Sequence, residues 1–461
     1  MTDFTKGNVT RQLISFALPL LISSIFQQLY NMADAIVVGN YVGSDALAAV
    51  GTSAPVLNLL LAVLMGLTTG ASVLISQFYG AQQVDELRRT VSTSILFLGA
   101  LSLAISLVGY LGAPLFLRLL DTPANILDDA VTYLRICMAG MLFPMFYNLY
   151  NAYLRALGNA KAPLYFLVFA TLLNIALDVL LVAVLGMGVA GAAIATVFAQ
   201  AVSVVFCFLY TNRHVPALRV EKLRFDAQIF RSVLQYSIPT AVQLSVVSLA
   251  SLTIQRLVNG FGSIVLAGYT AATKIDSFAT MPLSNLSMAV SIFVGQNMGA
   301  GLEDRAKKGF RTSLLLMLGT GIAISTLAML FGKPLISLFV DAGAADTPQI
   351  LAVGAHYLSI IVAFYSFFAV FFCFTGFFRG AGDAVIVMAL TITSLSIRSL
   401  TAHLLVSQFG MGAEAVAWSI PVGWGLCSLV SWWYYTHRKW AGKLARGVRG
   451  AAKDEAEAPA S

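Results

Sequence analysis

Two aspartates interrupt runs of apolar residues in this chain. Asp34 lies in QQLYNMADAIVVG, Gln27 to Gly39, and Asp178 lies in TLLNIALDVLL, Thr171 to Leu181. Gln27, Tyr30, Asn31 and Asp34 follow a three-, four- and seven-residue spacing that puts them on one face of a helix. Asn174 and Asp178 are four apart and share a face in the same way. Thr196 adds a hydroxyl in AIATVFAQ. A lone carboxylate in apolar surroundings is costly, so it takes up a proton or binds a cation. Two carboxylates close together favour proton uptake further. With the Asn174 and Thr196 oxygens beside them, the pair suits H⁺ exchange or a small hard cation such as Na⁺. The alternative is that both acids tie helices together or pair with Arg135.

Which elements hold these residues follows from composition. Of 461 residues, 58% are hydrophobic and 11% charged, and mean hydropathy is +0.83. Soluble proteins carry about 25% charged residues. Apolar runs recur that are long enough to cross a ~30 Å hydrocarbon core, and without strict alternation they read as helices rather than barrel strands. Twelve spans are expected, at 13–38, 46–79, 90–117, 130–154, 163–185, 189–211, 232–258, 265–294, 310–331, 350–378, 384–408 and 412–436. The second and eighth exceed one straight crossing, and Pro55 and Pro282 mark places for a bend. The polar N-terminus and long first run do not fit a cleaved signal peptide. Cys137, Cys207, Cys373 and Cys427 stand singly, which argues against disulfides and structural zinc.

The basic residues orient the spans. With the N-terminus inside, 22 of the 28 Lys and Arg fall in inner segments, two in outer loops and four within spans. This asymmetry predicts cytoplasmic termini in a bacterial inner membrane. It also reads the +7 net charge as a topology signal rather than a nucleic-acid surface. On this orientation Asp34, Asp178 and Thr196 all sit about 7–12 Å inside the outer boundary at ~1.5 Å rise per residue, so one pocket can hold them.

The chain also repeats itself. SQFYGAQQVDELRR (from Ser76) matches GQNMGAGLEDRAKK (from Gly295). TYLRI matches HYLSI, YLRALGN matches FFRGAGD, GMGVAGAA matches GMGAEAVA, and FLYTNR matches WYYTHR. Each copy holds six spans, so both have the same orientation. The expected fold is all-α and polytopic: twelve transmembrane helices in two six-helix bundles related by a parallel internal repeat. The expected divisions are an N-terminal lobe at 1–212, a cytoplasmic linker at 213–231, a C-terminal lobe at 232–438 and a disordered cytoplasmic tail at 439–461. Two like bundles suit alternating access.

The second half carries different charges. Arg256, Lys274, Asp276 and Arg398 fall within spans, with His356, His403 and Glu414. Arg256, Lys274 or Arg398 suits an anionic part of a substrate; the alternative is snorkelling or pairing with Asp276. His356 and His403 read as packed or hydrogen-bonded. Pro19, with its counterpart Pro239, permits a kink. No H-E-x-x-H, G-x-S-x-G or P-loop lysine is present, which leaves an ion gradient as the energy source and argues against an enzyme.

The QQLYNMADAIVVGNYVG motif, the SQFYGA/GQNMGA pair, NIALD and the two six-span halves resemble the multidrug and toxic compound extrusion (MATE) transporters, up to about Arg438. The resemblance implies cation-coupled antiport, with H⁺ or Na⁺ entering as a drug or metabolite leaves. It places a cation site on Asp34, Asn174, Asp178 and Thr196, which would also be the metal ligands under Na⁺ coupling. Gln27 and Tyr30 match neighbours of that site, and Pro19 matches a proline implicated in helix bending. The NorM-like branch has acidic ligands on spans seven and ten; here those spans offer Gln243 and Ser245 and no acid from Gln349 to Phe378, closer to the DinF-like branch. Gln27, Tyr30, Asn31, Gln243, Arg256 and Lys274 are the expected substrate-cavity residues. The partners expected are a small cationic or amphipathic organic substrate and membrane lipid, with a monomeric chain, no nucleic acid and no cofactor. The other reading of the chain is a flippase for lipid-linked oligosaccharides or lipids of the same superfamily.

Overall fold

The computed structural model describes residues 2–220, 222–340 and 346–442. Among these residues there are fourteen α-helices and no strand. The first repeat contains α1 (Val9–Tyr41), α2 (Ser44–Gly80), α3 (Val84–Leu119), α4 (Ala124–Ala139), α5 (Leu142–Ala156), α6 (Lys161–Asp178) and α7 (Gly188–His214). The second contains α8 (Ala227–Asn259), α9 (Ser263–Gly299), α10 (Glu303–Ser337), α11 (Thr347–Ala363), α12 (Tyr365–Gly380), α13 (Ala384–Ser407) and α14 (Glu414–Thr436).

Ten of these helices are long and apolar enough to cross a membrane alone, and twelve spans result when each of two bent pairs counts as one. The bent pairs correct two expectations. The span expected at 130–154 is broken between α4 and α5, with a 49° bend, and that at 350–378 between α11 and α12, with a 52° bend. A break frees a carbonyl that a low-dielectric surround must satisfy. Ser106 Oγ on α3 donates to the Met138 carbonyl at 2.6 Å, adding to the Met141 N–H that spans the break at 3.1 Å. Ser325 Oγ on α10 donates to the Val362 carbonyl at 2.5 Å. Each repeat therefore mends its break with a serine from the preceding helix. Conversely, α2 and α9 run unbroken for 37 residues through Pro55 and Pro282. At 1.5 Å per residue that is about 55 Å, more than the hydrocarbon core needs.

Repeated sequence produces repeated turns. Gly158 and Gly382 adopt left-handed backbone, φ 79° and 92°. The next N–H bonds back five residues, Asn159 to Leu154 and Asp383 to Phe378, each at 2.9 Å. Asn159 and Asp383 then accept from the N–H of Ala162 and Ile386, so one residue ends a turn and caps the next helix. Gly186 and Gly410, both at φ 63°, make the later turn.

Outer faces are apolar and uncovered. Leu103, Leu107, Leu111 and Leu115 form an exposed stripe on α3, and Leu315, Ile322 and Leu330 lie exposed on α10. Such continuous apolar surface is compatible with lipid, not water.

Contacts divide the chain into two compact units. One gathers Leu18–Val242; the other gathers Phe4–Ala17 and resumes at Gln243. The divisions cut α1 just before Pro19 and α8 just after its counterpart Pro239. In the first unit α8 lies against α2: a Cβ on Gly66 would meet the Ala241 Cα at 2.3 Å, and one on Gly70 the Ser237 Cα at 2.3 Å. Ser237 Oγ donates to the Leu67 carbonyl at 2.8 Å. Small residues here permit backbone contact between helices. In the second unit Phe4 is fully buried. Its carbonyl accepts from Asn297 Nδ2 at 3.1 Å and Arg305 Nε at 2.9 Å. The packed chain extends beyond Arg438, since Trp440 is buried against Phe377, with ring centroids 4.9 Å apart. The remainder of the expected tail lies outside the described residues.

Candidate cation site

The first unit draws its polar membrane residues together. Tyr30 and Asp34 come from α1, Asn174 and Asp178 from the end of α6, and Thr196 from α7. The Asn174 amide faces the Thr196 hydroxyl at 3.5 Å. Tyr30 lies within electrostatic reach of Asp34 and Asp178, with Thr196 beside its hydroxyl. Asp34 and Asp178 act on one another directly. Asn174 and Asp178 are wholly buried.

What distinguishes the cluster is unmet bonding. Both Asp178 carboxylate oxygens, Asn174 Oδ1, Asp34 Oδ1 and the Tyr30 hydroxyl are buried with no hydrogen-bond partner. An orphaned buried polar atom costs about 1–3 kcal/mol. Five of them together approach the ~5–15 kcal/mol net stability of a whole domain. Oxygens from two carboxylates, an amide and hydroxyls fit a proton or a hard monovalent cation, either of which offsets that cost. No group of three His, Cys, Asp or Glu side chains suited to a metal occurs among the described residues. Arg135 does not neutralise the acids. Its Nε donates to the Tyr110 carbonyl at 3.4 Å, and its guanidinium lies 5.4 Å from that ring.

Local structure explains the placement. Directly after Asp178 the chain winds into a π-helical stretch, Val179–Val184. Such a stretch re-aims side chains and is frequent at functional sites. It closes with Met187 N–H bonded to the Leu181 carbonyl at 2.9 Å. Val37, Val38, Val182, Val189, Ala192 and Ala193 pack beside the polar group and keep its surroundings apolar. Sequence reasoning missed two neighbours on α4. Tyr133 and Cys137 both act on Asp34 electrostatically. On an apolar helix their spacing is that of ordinary core residues, and only the TYLRI/HYLSI match draws attention to that stretch.

The other expected residues are scattered. Gln27 and Asn31 are exposed on α1. Gln243 is buried, and its amide donates to Thr391 Oγ1 at 3.0 Å. Arg256 and Lys274 are exposed in the second unit, and Lys274 Nζ lies 5.4 Å from the Phe339 ring centroid. Pro19 sits inside an unbroken α1.

Twelve apolar spans in two repeated halves, with a buried oxygen cluster in one of them, define a multi-pass membrane transporter. The MatE family model matches residues 19–180 and 239–404. The chain belongs to the MatE family, whose members are transporters rather than enzymes. It is 30% identical to the probable multidrug resistance protein YpnP of Bacillus subtilis (strain 168), over 95% of this chain and 97% of that protein. The probable multidrug resistance protein YoeA of the same organism is 31% identical, over 73% of this chain and 74% of its own. A solved structure described as the outward-facing conformation of a multidrug resistance MATE family transporter matches with a TM-score of 0.87 at 22% identity, covering 98% of both chains. That likeness is one of fold.

Proposed function

We propose that this chain is a multidrug efflux antiporter of the bacterial inner membrane, with both termini cytoplasmic. H⁺ or Na⁺ binds at Asp34, Asp178, Asn174 and Thr196 and drives a small cationic or amphipathic organic substrate outward by alternating access. The observation that supports this reading best is the gathering of five buried oxygens from α1 and α6, without partners in good hydrogen-bond geometry, beside one apolar cluster. A carboxylate pair held this way favours whichever state of the transporter supplies its cation, so ion binding and conformation are linked. Tyr30 belongs to the same site. Gln27 and Asn31 are the contacts proposed for substrate on α1, with Arg256 and Lys274 in the other lobe, while Pro19 is the proposed hinge. The working unit is a monomer.

Counterflow in proteoliposomes tests the antiport. Unlabelled substrate loaded inside should accelerate uptake of labelled substrate several-fold, as exchange requires. Equal uptake with and without internal substrate would indicate a pore. Failure of both an imposed pH gradient and an imposed Na⁺ gradient to drive transport would remove the coupling claim.

A further inference from the structure

The second unit holds its own charge cluster within the membrane spans, half-buried at Asp276 and Arg398, which the proposed cation site does not use. Asp276 on α9 accepts a hydrogen bond from the Tyr365 hydroxyl at the start of α12, at 2.7 Å. Arg398 on α13 acts on Asp276 electrostatically, yet the two form no direct ion pair. The Arg398 Nε is buried without a partner. Tyr269 of α9 faces Arg398 and Asp276, and its ring meets that of Tyr357 on α11 edge-on, 5.1 Å between centroids. Tyr357 interacts with the same two charged groups. Among the described residues, the groups that act on Asp276 are thus Tyr269 of its own helix, Tyr357 of α11, Tyr365 of α12 and Arg398 of α13; Arg256 of α8 is exposed, and Glu414 of α14 is in contact with His356. Lys274 is directed instead to Phe339.

A cavity of about 270 Å³ lies against the tyrosine edge of this cluster, with neither Asp276 nor Arg398 in its lining. Tyr269 and Tyr357 form part of its wall, and His356 and Glu414, in contact at 3.1 Å, stand in the same lining. Its lining draws on the start of α9 and α14, the exterior end in the orientation inferred from the basic residues.

The repeat relates this cluster to the first. Asn159/Asp383 and Gly186/Gly410 both set an offset of 224 residues across α6 and α13. Arg398 therefore takes the place of Asn174, and Ala402 that of Asp178. TYLRI and HYLSI equate Tyr133 with Tyr357. The equal lengths of α2 and α9, beginning at Ser44 and Ser263, equate Leu57 with Asp276. Leu57 packs against the apolar cluster beside the first site. The second repeat thus keeps the pocket but carries its carboxylate on a different helix, and supplies a guanidinium where the first has an amide.

We propose that Asp276 is a second proton-exchanging site, reached from the cavity through Tyr269 and Tyr357, with Arg398 balancing the charge when the proton leaves. The phenols pass a proton by hydroxyl reorientation, each accepting one and donating another. Tyr365 donates to the carboxyl group and holds it in place. Two exchangeable sites, one per lobe, give the transporter a proton at Asp276 in addition to the H⁺ or Na⁺ proposed for the first site.

Carbonyl-stretch infrared difference spectra between acidic and alkaline buffer test this directly on the full-length protein in lipid nanodiscs. The Asp34→Asn/Asp178→Asn variant silences the first site, so the outcome here is independent of that site's role. We expect this variant to retain a carboxyl band on acidification and to lose it on further change of Asp276→Asn, while Glu414→Gln leaves it. Tyr365→Phe keeps the carboxyl group and removes its donor, and should move the band to higher wavenumber. Should Asp276→Asn prevent insertion, the Tyr365→Phe shift decides alone. A spectrum unchanged by Tyr365→Phe, or a triple variant identical to the double, would overturn the proposal and leave Asp276 as a fixed partner of Tyr365.

Discussion

Asp178 is wholly buried, yet neither carboxylate oxygen has a donor in good hydrogen-bond geometry, the Asn174 amide being the one nearby. Residues kept in so costly a condition serve something other than stability. Replacing one should therefore separate stability from transport. Tyr30→Phe removes a buried hydroxyl whose one polar neighbour, Thr196, lies outside good hydrogen-bond geometry, and should change stability by no more than about 1 kcal/mol. It should at the same time weaken the response to the coupling ion. Thermal unfolding in detergent, alongside ion-driven transport, checks both halves, and a clear fall in melting temperature would assign the hydroxyl a structural bond instead. Much of this cluster was legible beforehand. The four-residue spacing of Asn174 and Asp178, and the shared depth of Asp34, Asp178 and Thr196, follow from helix geometry alone. Tyr133 and Cys137 were not legible, because nothing in an apolar helix marks which side chain turns toward a neighbour's carboxylate.

Helices set the next level. Their number and order follow from hydropathy and the repeat, but their breaks do so only in part. Pro144, in the first turn of α5, marks the break after α4, whereas no proline stands where α11 gives way to α12, and the partners at those breaks, Ser106 and Ser325, lie on other helices. Pro55 and Pro282 signal breaks that neighbouring helices suppress. Ser106→Ala and Ser325→Ala should each cost about 0.6–1.7 kcal/mol, the range for hydrogen bonds between membrane helices. Melting temperature is the measure, and an unchanged value in both would mean that other donors suffice, as the Met141 N–H does at Met138. Close helix approach gives a sharper test. Gly70→Val forces a side chain into the α8 backbone and should sharply reduce the yield of folded protein, judged by size-exclusion chromatography. A Cβ at Gly319 meets nothing within 4 Å, so Gly319→Ala should be tolerated. Equal yields would refute the contact between α2 and α8.

At the scale of the whole chain, the divisions between compact units fall inside α1 and α8 rather than between elements. Sequence patterning alone does not reveal this, since an apolar helix carries no mark of which bundle each half joins. That packing continues past Arg438 was likewise obscured by the charged composition there, although Trp440 is buried and its indole N–H bonds to the Tyr435 carbonyl at 3.1 Å. Truncation after Gly442 should preserve transport, whereas Trp440→Ala should cost about 3–5 kcal/mol, as for other buried large aromatics. A truncation that inserts normally but fails to transport would give the tail a function. The central claim is that Asp34 is charged at one stage of a transport cycle and neutralised by the coupling cation at another. Its most direct test is efflux of a fluorescent cationic dye from proteoliposomes under an imposed pH or Na⁺ gradient, comparing the wild-type chain with Asp34→Asn. Gradient-driven efflux in the wild type and its loss in a correctly inserted variant is the predicted result; equal efflux from both would contradict the account.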